Sequence, residues 1–223
     1  MPASESFLDT TVDPPVRGFL HRPEAPSGEA LILTHGAGSN CRTPLLVALA
    51  ETFCASGLTV LRCDLAFRQS RPTGPPPRGS AERDQAGLRA AVAAMRRQTE
   101  GRIFLGGHSY GGRQASILAA SDPALVAALL LLSFPLHPPQ RPEELRSKHF
   151  PDLRTPALFV HGARDGFGSY DEMKQALRLV TARTQLLSVS GAGHELFSVR
   201  NRRELPPQIV SAFLSFVDSP GSF

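Results

Sequence analysis

The sequence predicts an α/β protein with a doubly wound, mostly parallel sheet. Three observations support this: short apolar runs recur along the chain, amphipathic helical patterns separate them, and the runs lack the alternation of half-exposed strands. Strands that are apolar throughout are covered on both faces, as in a parallel sheet between two helical layers. With 41% hydrophobic and 20% charged residues, the 223-residue chain is predicted to form one globular domain over residues 1–223.

The first half of the chain contains three strand predictions. The apolar runs that predict them lie at residues 31–33, 59–61 and 102–105. Helical spacing of apolar residues predicts one helix through Leu45, Leu49 and Phe53 and another through Leu88, Val92 and Met95. The first of these helices has clear boundaries, because Thr43 suits the N-cap, Pro44 the first helical position and Gly57 the position beyond the end.

The second half repeats the pattern. It predicts a helix at about 110–120, strands within 126–132, 156–160 and 185–189, and a last helix carrying Ile209, Phe213 and Phe216. Ser169 and Glu172 have the spacing of a capping box. The helix that this box begins is expected to place Met173, Leu177 and Val180 on one face.

Two proline-rich stretches, residues 68–79 and 135–156, interrupt the alternation of strands and helices. Each follows a predicted strand, so each should emerge at the carboxyl edge of the sheet, where open α/β folds bind ligands. The sequence leaves two interpretations open: surface connections, or the wall or small lid of a pocket.

Charge and cysteine usage exclude several classes of protein. The formal net charge is +4, but the arginines are scattered from Arg17 to Arg203, whereas a nucleic-acid site clusters its charge on one face. Three widely spaced cysteines fit a reducing compartment and show no metal-ligand spacing. The N-terminus lacks the features of a signal peptide, and no apolar run approaches the ~20 residues that span a bilayer. We therefore expect a cytoplasmic protein without nucleic acid, membrane or metal as a partner.

The strongest motif is the Gly-X-Ser-X-Gly pattern of residues 107–111, which directly follows a predicted strand and precedes a predicted helix. This is the context of a nucleophile elbow, in which glycines allow a sharp turn and the serine hydroxyl projects above the sheet. We therefore predict that Ser109 is a catalytic nucleophile. The alternative is a tight strand-to-helix turn in which the serine has no catalytic role.

A serine nucleophile needs a base and an acid. His194 follows a run of small residues just after a predicted strand, and Asp165 lies just beyond the predicted strand at 156–160. We predict that His194 is the base and that Asp165 fixes its tautomer and stabilises the imidazolium. The rival acids are Asp64, Asp152 and Asp171. Asp64 also follows a strand, but that strand precedes the nucleophile, so a structural role is expected.

Two backbone N–H groups are expected to stabilise the tetrahedral intermediate. One is that of Tyr110, beside the nucleophile, and the other is that of Ala37 in the loop after the first apolar strand. Gly38 is the alternative donor and an expected substrate contact. The arginines of the 68–79 loop suggest an acidic substrate group, with Arg68 as the predicted contact.

With these motifs the chain resembles the α/β-hydrolase superfamily, and within it the small lidless group related to dienelactone hydrolases and to the hydrolase-like domain of a chromatin-complex subunit. The match rests on His35-Gly36-Ala37-Gly38, on residues 106–112, and on His161-Gly162-Ala163-Arg164-Asp165 with Gly193-His194. The resemblance implies an α/β-hydrolase fold with about eight strands, no large cap domain and no cofactor. It also implies Ser109, Asp165 and His194 as the triad, in the family's chain order.

The resemblance limits the function as well. Dienelactone hydrolases use a cysteine as nucleophile, so Ser109 leaves that substrate unsupported. The predicted function is a serine hydrolase for small carboxylic esters or thioesters. Alternatives are a catalytically inactive domain of the same fold that serves as an interaction scaffold, and a peptidase or lipase, the latter disfavoured by the absence of an obvious large lid. Oligomeric state is not readable from the sequence.

Overall fold

The computed structural model describes residues 4–219, which form an eight-stranded sheet with helices on both faces. The strands are β1 (Ser4–Asp9), β2 (Val16–His21), β3 (Ala30–Thr34), β4 (Thr59–Cys63), β5 (Ile103–His108), β6 (Ala128–Leu132), β7 (Ala157–Gly162) and β8 (Thr184–Val189). The α-helices are α1 (Pro44–Ala55), α2 (Ala66–Ser70), α3 (Ala81–Arg96), α4 (Tyr110–Ser121), α5 (Tyr170–Ala176) and α6 (Leu205–Asp218). Short 3₁₀ turns lie at Phe150–Asp152 and Leu177–Leu179.

The strand order across the sheet is β1-β2-β4-β3-β5-β6-β7-β8. Strands β3 to β8 run parallel, whereas β2 pairs antiparallel with both β1 and β4. The parallel strands bring their following loops to one edge of the sheet, and no large cap domain covers that edge within residues 4–219. The predicted fold class, a doubly wound and mostly parallel sheet of about eight strands, is confirmed.

Strands β3 to β8 lie where the apolar runs predict them, but β1, β2 and α2 were not predicted. The edge strand β1 is mostly exposed, so it has no apolar run to signal it. The capping box at Ser169 is present, with both reciprocal hydrogen bonds to Glu172. Thr43 occupies the predicted N-cap without a side-chain hydrogen bond. The helix α5 ends at Ala176, so Leu177 and Val180 lie beyond the helix on which they were predicted, although both pack in the same apolar layer as Met173.

The sheet separates two apolar layers. Alternate side chains of a strand point to opposite faces, so Phe104 packs toward α1 and α6, while Leu105 packs toward α3, α4 and α5. On the first side, Phe213 of α6 is fully buried and meets Phe104 and Phe53 edge to face, with ring centroids 5.3 and 5.7 Å apart. This aromatic contact fixes α6 against the centre of the sheet.

We expect Phe213→Ala to lower the free energy of unfolding by about 3–5 kcal/mol, because it removes a buried ring and leaves a cavity between two aromatic neighbours. Urea unfolding followed by circular dichroism measures this loss. Val199→Ala is the control, since Val199 is 79% exposed and its truncation should change stability by less than about 0.5 kcal/mol. Equal effects of the two substitutions would contradict the packing described here.

Candidate active site

Ser109 lies in a sharp turn between β5 and α4. Its backbone φ of 51° falls in the left-handed region, which costs a non-glycine residue about 1–3 kcal/mol and is typical of functional sites. The turn is held by hydrogen bonds from the Ser109 N–H to the Leu132 carbonyl and from the Arg113 N–H to the Ser109 carbonyl. The Ser109 side chain lines a cavity of about 670 Å³.

Glycines allow this turn because backbone segments touch on both sides of Ser109. A Cβ on Gly107 would lie 2.6 Å from the Gly112 nitrogen, and one on Gly112 would lie 2.6 Å from the Gly107 oxygen. A Cβ on Gly111 would lie 2.5 Å from the His35 oxygen of the neighbouring loop. The Gly-X-Ser-X-Gly pattern is therefore a steric requirement of this elbow.

The structure brings Ser109, His194 and Asp165 into one hydrogen-bonded chain. His194 Nε2 lies 2.8 Å from Ser109 Oγ, and His194 Nδ1 lies 2.9 and 3.0 Å from the two Asp165 carboxylate oxygens. An Nδ1–H that donates to Asp165 leaves Nε2 free to accept the serine proton. This is the arrangement that proton transfer from a serine hydroxyl requires.

Asp165 is buried, with its carboxylate supported by neighbouring donors. Burial by itself raises the pKa of Asp165, but the hydrogen bond from His194, the charge of His194 and the N–H of Phe167 outweigh it and lower that pKa. The carboxylate therefore stays ionised where it meets the imidazole. The Phe167 ring also packs on the His194 ring, with centroids 4.1 Å apart, and so restricts the imidazole's rotation.

The remaining histidines of the motifs have structural contacts. His108 Nε2 lies 2.9 Å from the His194 carbonyl oxygen and anchors the loop that carries His194. His35 Nε2 accepts the Leu65 N–H, and His161 Nε2 lies 2.6 Å from the Gly168 carbonyl oxygen. The rival acid Asp64 accepts the Cys41 N–H, so it serves another loop and not His194.

Ala37 and Tyr110, the predicted oxyanion donors, line the same cavity as Ser109. Tyr110 is the first residue of α4, so its N–H has no acceptor within the helix. Within residues 4–219, the Ala37 N–H makes no hydrogen bond to the protein. Both amides are therefore available to a ligand, and Gly38, also in the cavity wall, is more exposed.

Both proline-rich stretches contribute to the cavity wall. Pro75 and Pro76 come from the first, and Pro135 and Arg146 come from the second. Of the two interpretations that the sequence left open, the structure supports the pocket wall. Among the described residues, no group of three or more His, Cys, Asp or Glu side chains could hold a metal ion.

Arg68 does not lie in the cavity, contrary to the predicted substrate contact. It is only 5% exposed, and its guanidinium donates to the carbonyl oxygens of Ala37, Ser39, Arg71 and Gly74 at 2.8–2.9 Å. These bonds tie the loop that carries Ala37 to the 68–79 loop. Arg68 is therefore a structural residue that shapes the cavity from behind its wall.

Three other residues of the site were missed by the sequence analysis. Arg113 and Arg146 line the cavity, and Asp84 accepts the Tyr110 hydroxyl hydrogen bond at 2.8 Å from a fully buried position. Arg113 lies one helical turn after Ser109, a spacing that could have been noticed. Arg146 lies in the 135–156 stretch, a candidate pocket wall, but its sequence does not distinguish it from the other basic residues there. Asp84 lies far from any motif, so only the tertiary structure reveals it.

Comparison with known proteins gives the class of the chain. Residues 27–212 match the model of the alpha/beta hydrolase domain, and the chain therefore belongs to the α/β-hydrolase family. The resemblance drawn from the motifs is confirmed. Within residues 4–219, the structure has no helix with the length and apolar character needed to cross a membrane.

Solved structures with the same fold include one that is described as lacking a lid. The dienelactone hydrolase from Anabaena variabilis superimposes with a TM-score of 0.76 at 20% identity, covering 96% of this chain and 98% of that one. An α/β serine hydrolase without lid from Xanthomonas campestris superimposes with a TM-score of 0.74 at 17% identity, covering 98% and 97%. At these identities the likeness concerns the fold.

A curated relative is more similar in sequence over a shorter stretch. The Escherichia coli protein named "Putative carboxymethylenebutenolidase" is 31% identical over 101 residues, which are 42% of this chain and 36% of that protein. The Salmonella typhimurium protein of the same name matches to the same extent. The match thus spans about a third of the length of these relatives.

The contacts of Arg68 predict that its substitution destabilises the folded protein. Arg68→Gln should lower the free energy of unfolding by about 2–4 kcal/mol, because it removes a buried, charged donor that makes four hydrogen bonds to carbonyl oxygens. Urea unfolding measures this loss. Arg78→Gln is the matched control from the same loop, since Arg78 is exposed and its substitution should be nearly neutral. A stable Arg68→Gln variant would contradict the structural role.

Proposed function

We propose that this protein is a serine hydrolase that cleaves carboxylic esters or thioesters through an acyl-enzyme on Ser109. The observation that carries the proposal is the hydrogen-bonded chain from Ser109 through His194 to Asp165, which begins at the wall of an open cavity. Membership of the hydrolase family supports the same conclusion. Nothing in the proposed reaction requires a cofactor.

The proposed reaction follows from the positions of the donors and acceptors. As Ser109 Oγ attacks the substrate carbonyl carbon, its proton moves to His194 Nε2, and the Asp165 carboxylate stabilises the imidazolium. The amides of Ala37 and Tyr110 donate to the oxyanion of the tetrahedral intermediate. His194 then protonates the leaving alcohol or thiol. Water, deprotonated by His194, hydrolyses the acyl-enzyme and restores the serine.

The substrate class rests on the shape of the site and on the relatives. No large cap covers the carboxyl edge within the described residues, which favours small or accessible esters. The Anabaena relative is named for hydrolysis of a lactone, which is a cyclic ester. We propose the same bond type for this chain and keep thioesters within the class, since the same acyl-enzyme serves both.

A fluorophosphonate probe should label Ser109 in the folded protein, because His194 activates the hydroxyl toward electrophiles. Mass spectrometry of the peptide that contains Ser109 measures the labelling. Ser109→Ala and His194→Ala should each lower the turnover of short p-nitrophenyl esters by at least about 1,000-fold. Asp165→Asn should do so as well, because an amide N–H that donates to Nδ1 places the ring proton on Nε2, which then cannot accept the serine proton.

Ser215→Ala is the matched control, because Ser215 is exposed on α6 and far from the elbow in sequence. It should keep both the labelling and the turnover. If the fluorophosphonate probe does not label Ser109 in the native protein, the proposal is wrong and the inactive interaction domain is favoured. Full turnover in the Ser109→Ala or His194→Ala variant would contradict the role assigned to that residue.

A further inference from the structure

Two arginines share the cavity with the Ser109 hydroxyl. Arg113 belongs to the first turns of α4, and Arg146 belongs to the loop between β6 and the 3₁₀ turn at Phe150–Asp152. A helical side chain leans toward the N-terminus of its helix, so Arg113 leans toward the end of α4 that Ser109 caps. Both side chains are half-buried. The cavity therefore has a positively charged part beside the nucleophile.

Neither guanidinium has a partner within residues 4–219. Among the described residues, most ion pairs involve arginines on the surface, such as Arg83 with Asp13 and Arg102 with Asp218. In the same part of the chain, the side chains of Arg113 and Arg146 form no ion pair and no hydrogen bond. The Nε of Arg113 is buried and has no acceptor. A buried donor without an acceptor costs stability, so contacts within the described residues do not explain why this side chain is placed there.

The charges around this pair do not neutralise it. Burial lowers the pKa of both guanidinium groups, and the positive charge of Arg113 lowers that of Arg146 further. Glu144, the acidic residue that counteracts this effect at Arg146, is itself ion-paired with Arg141. Glu195 is the acidic residue in the cavity wall; it is exposed and pairs with neither arginine. Glu143 and Glu144 lie near both arginines in a neighbouring surface pocket, but within residues 4–219 no carboxylate forms an ion pair with either guanidinium.

We infer that the substrate carries an oxyanion group, a carboxylate or a phosphate, and that Arg113 and Arg146 bind it while Ser109 attacks the ester carbonyl. The inference rests on the proposed hydrolase function and adds the substrate's charge to it. The guanidinium fork matches the geometry of carboxylate and phosphate oxygens, and within residues 4–219 no protein group accepts a hydrogen bond from the guanidinium of either arginine, although both residues line the cavity. The anion and the scissile carbonyl belong to one molecule, separated by a short chain.

The test uses substrates that differ only at the end distant from the ester. Monomethyl esters of short dicarboxylic acids carry the carboxylate, the matching phosphonates carry the other oxyanion, and the matching primary amides are neutral. The wild type should prefer at least one anionic series over the amides by about tenfold or more in kcat/KM, since a hydrogen bond to a charged group contributes on that order. Which anion is preferred identifies the group.

Arg113→Gln and Arg146→Gln should each lower the ratio of anionic to neutral kcat/KM by about tenfold, mainly through KM, because binding to the anion is uniform along the reaction. The charge-matched control is the double variant Arg154→Gln/Arg178→Gln, whose residues are exposed and outside the cavity. It should keep the wild-type ratio. The double variant Arg113→Lys/Arg146→Lys keeps the two positive charges but loses the forked guanidinium groups, so it should retain part of the preference for anionic substrates. It shows whether a loss in the Gln variants comes from the lost charge or from misfolding.

A binding measurement separates this inference from the proposed function. Isothermal titration of Ser109→Ala with the same monoesters and amides does not depend on turnover. The anion site is supported if the anionic esters bind and if the Arg113→Gln/Arg146→Gln changes abolish that binding. This result supports the anion site even if the fluorophosphonate probe does not label Ser109. Equal turnover or equal binding of anionic and neutral esters overturns the inference, while turnover of both leaves the hydrolase proposal intact.

Discussion

The site depends on close contacts between backbone segments that only glycine allows. Gly107 and Gly112 touch across the elbow of Ser109, and a Cβ on Gly162 would lie 2.4 Å from the Gly193 oxygen. The second contact presses the loop after β7 against the loop after β8, which carries His194. Since Asp165 and His194 belong to these two loops, their hydrogen bond depends on that backbone approach. A larger side chain at either contact would separate the elements that hold the triad.

The surrounding side chains preserve this arrangement. His108 holds the His194 carbonyl, and the Phe167 ring packs on the imidazole while the Phe167 N–H supports the Asp165 carboxylate. These contacts fix the backbone of His194 and pack against its imidazole ring. Catalysis by a preorganised site requires this kind of restriction, because a donor that must first be oriented loses part of its effect. The parallel sheet supplies the rigid base, since all these loops leave its carboxyl edge.

The arginines near the cavity have two different roles. Arg68 has carbonyl oxygens around its guanidinium and acts as a brace behind the cavity wall. Arg113 and Arg146 lie in the wall itself and have no such acceptors in the part of the chain that the structure describes. The prediction of an arginine at the substrate assumed that the proline-rich 68–79 loop would present its charges to the pocket. The loop contributes Pro75 and Pro76 to the wall, and its buried arginine turns toward the backbone.

The sequence by itself determined the parallel core and the positions of Ser109, Asp165 and His194 at the ends of strands. It could do so because buried strands are recorded as local apolar runs, and a nucleophile elbow as glycines at a fixed spacing. Only the tertiary structure decided that the three side chains meet within hydrogen-bond distance and that Asp84 holds Tyr110. Only the tertiary structure, likewise, decided which arginines line the cavity. The physical reason is that the orientation of a long side chain depends on acceptors supplied by distant segments, and the sequence records no such proximity.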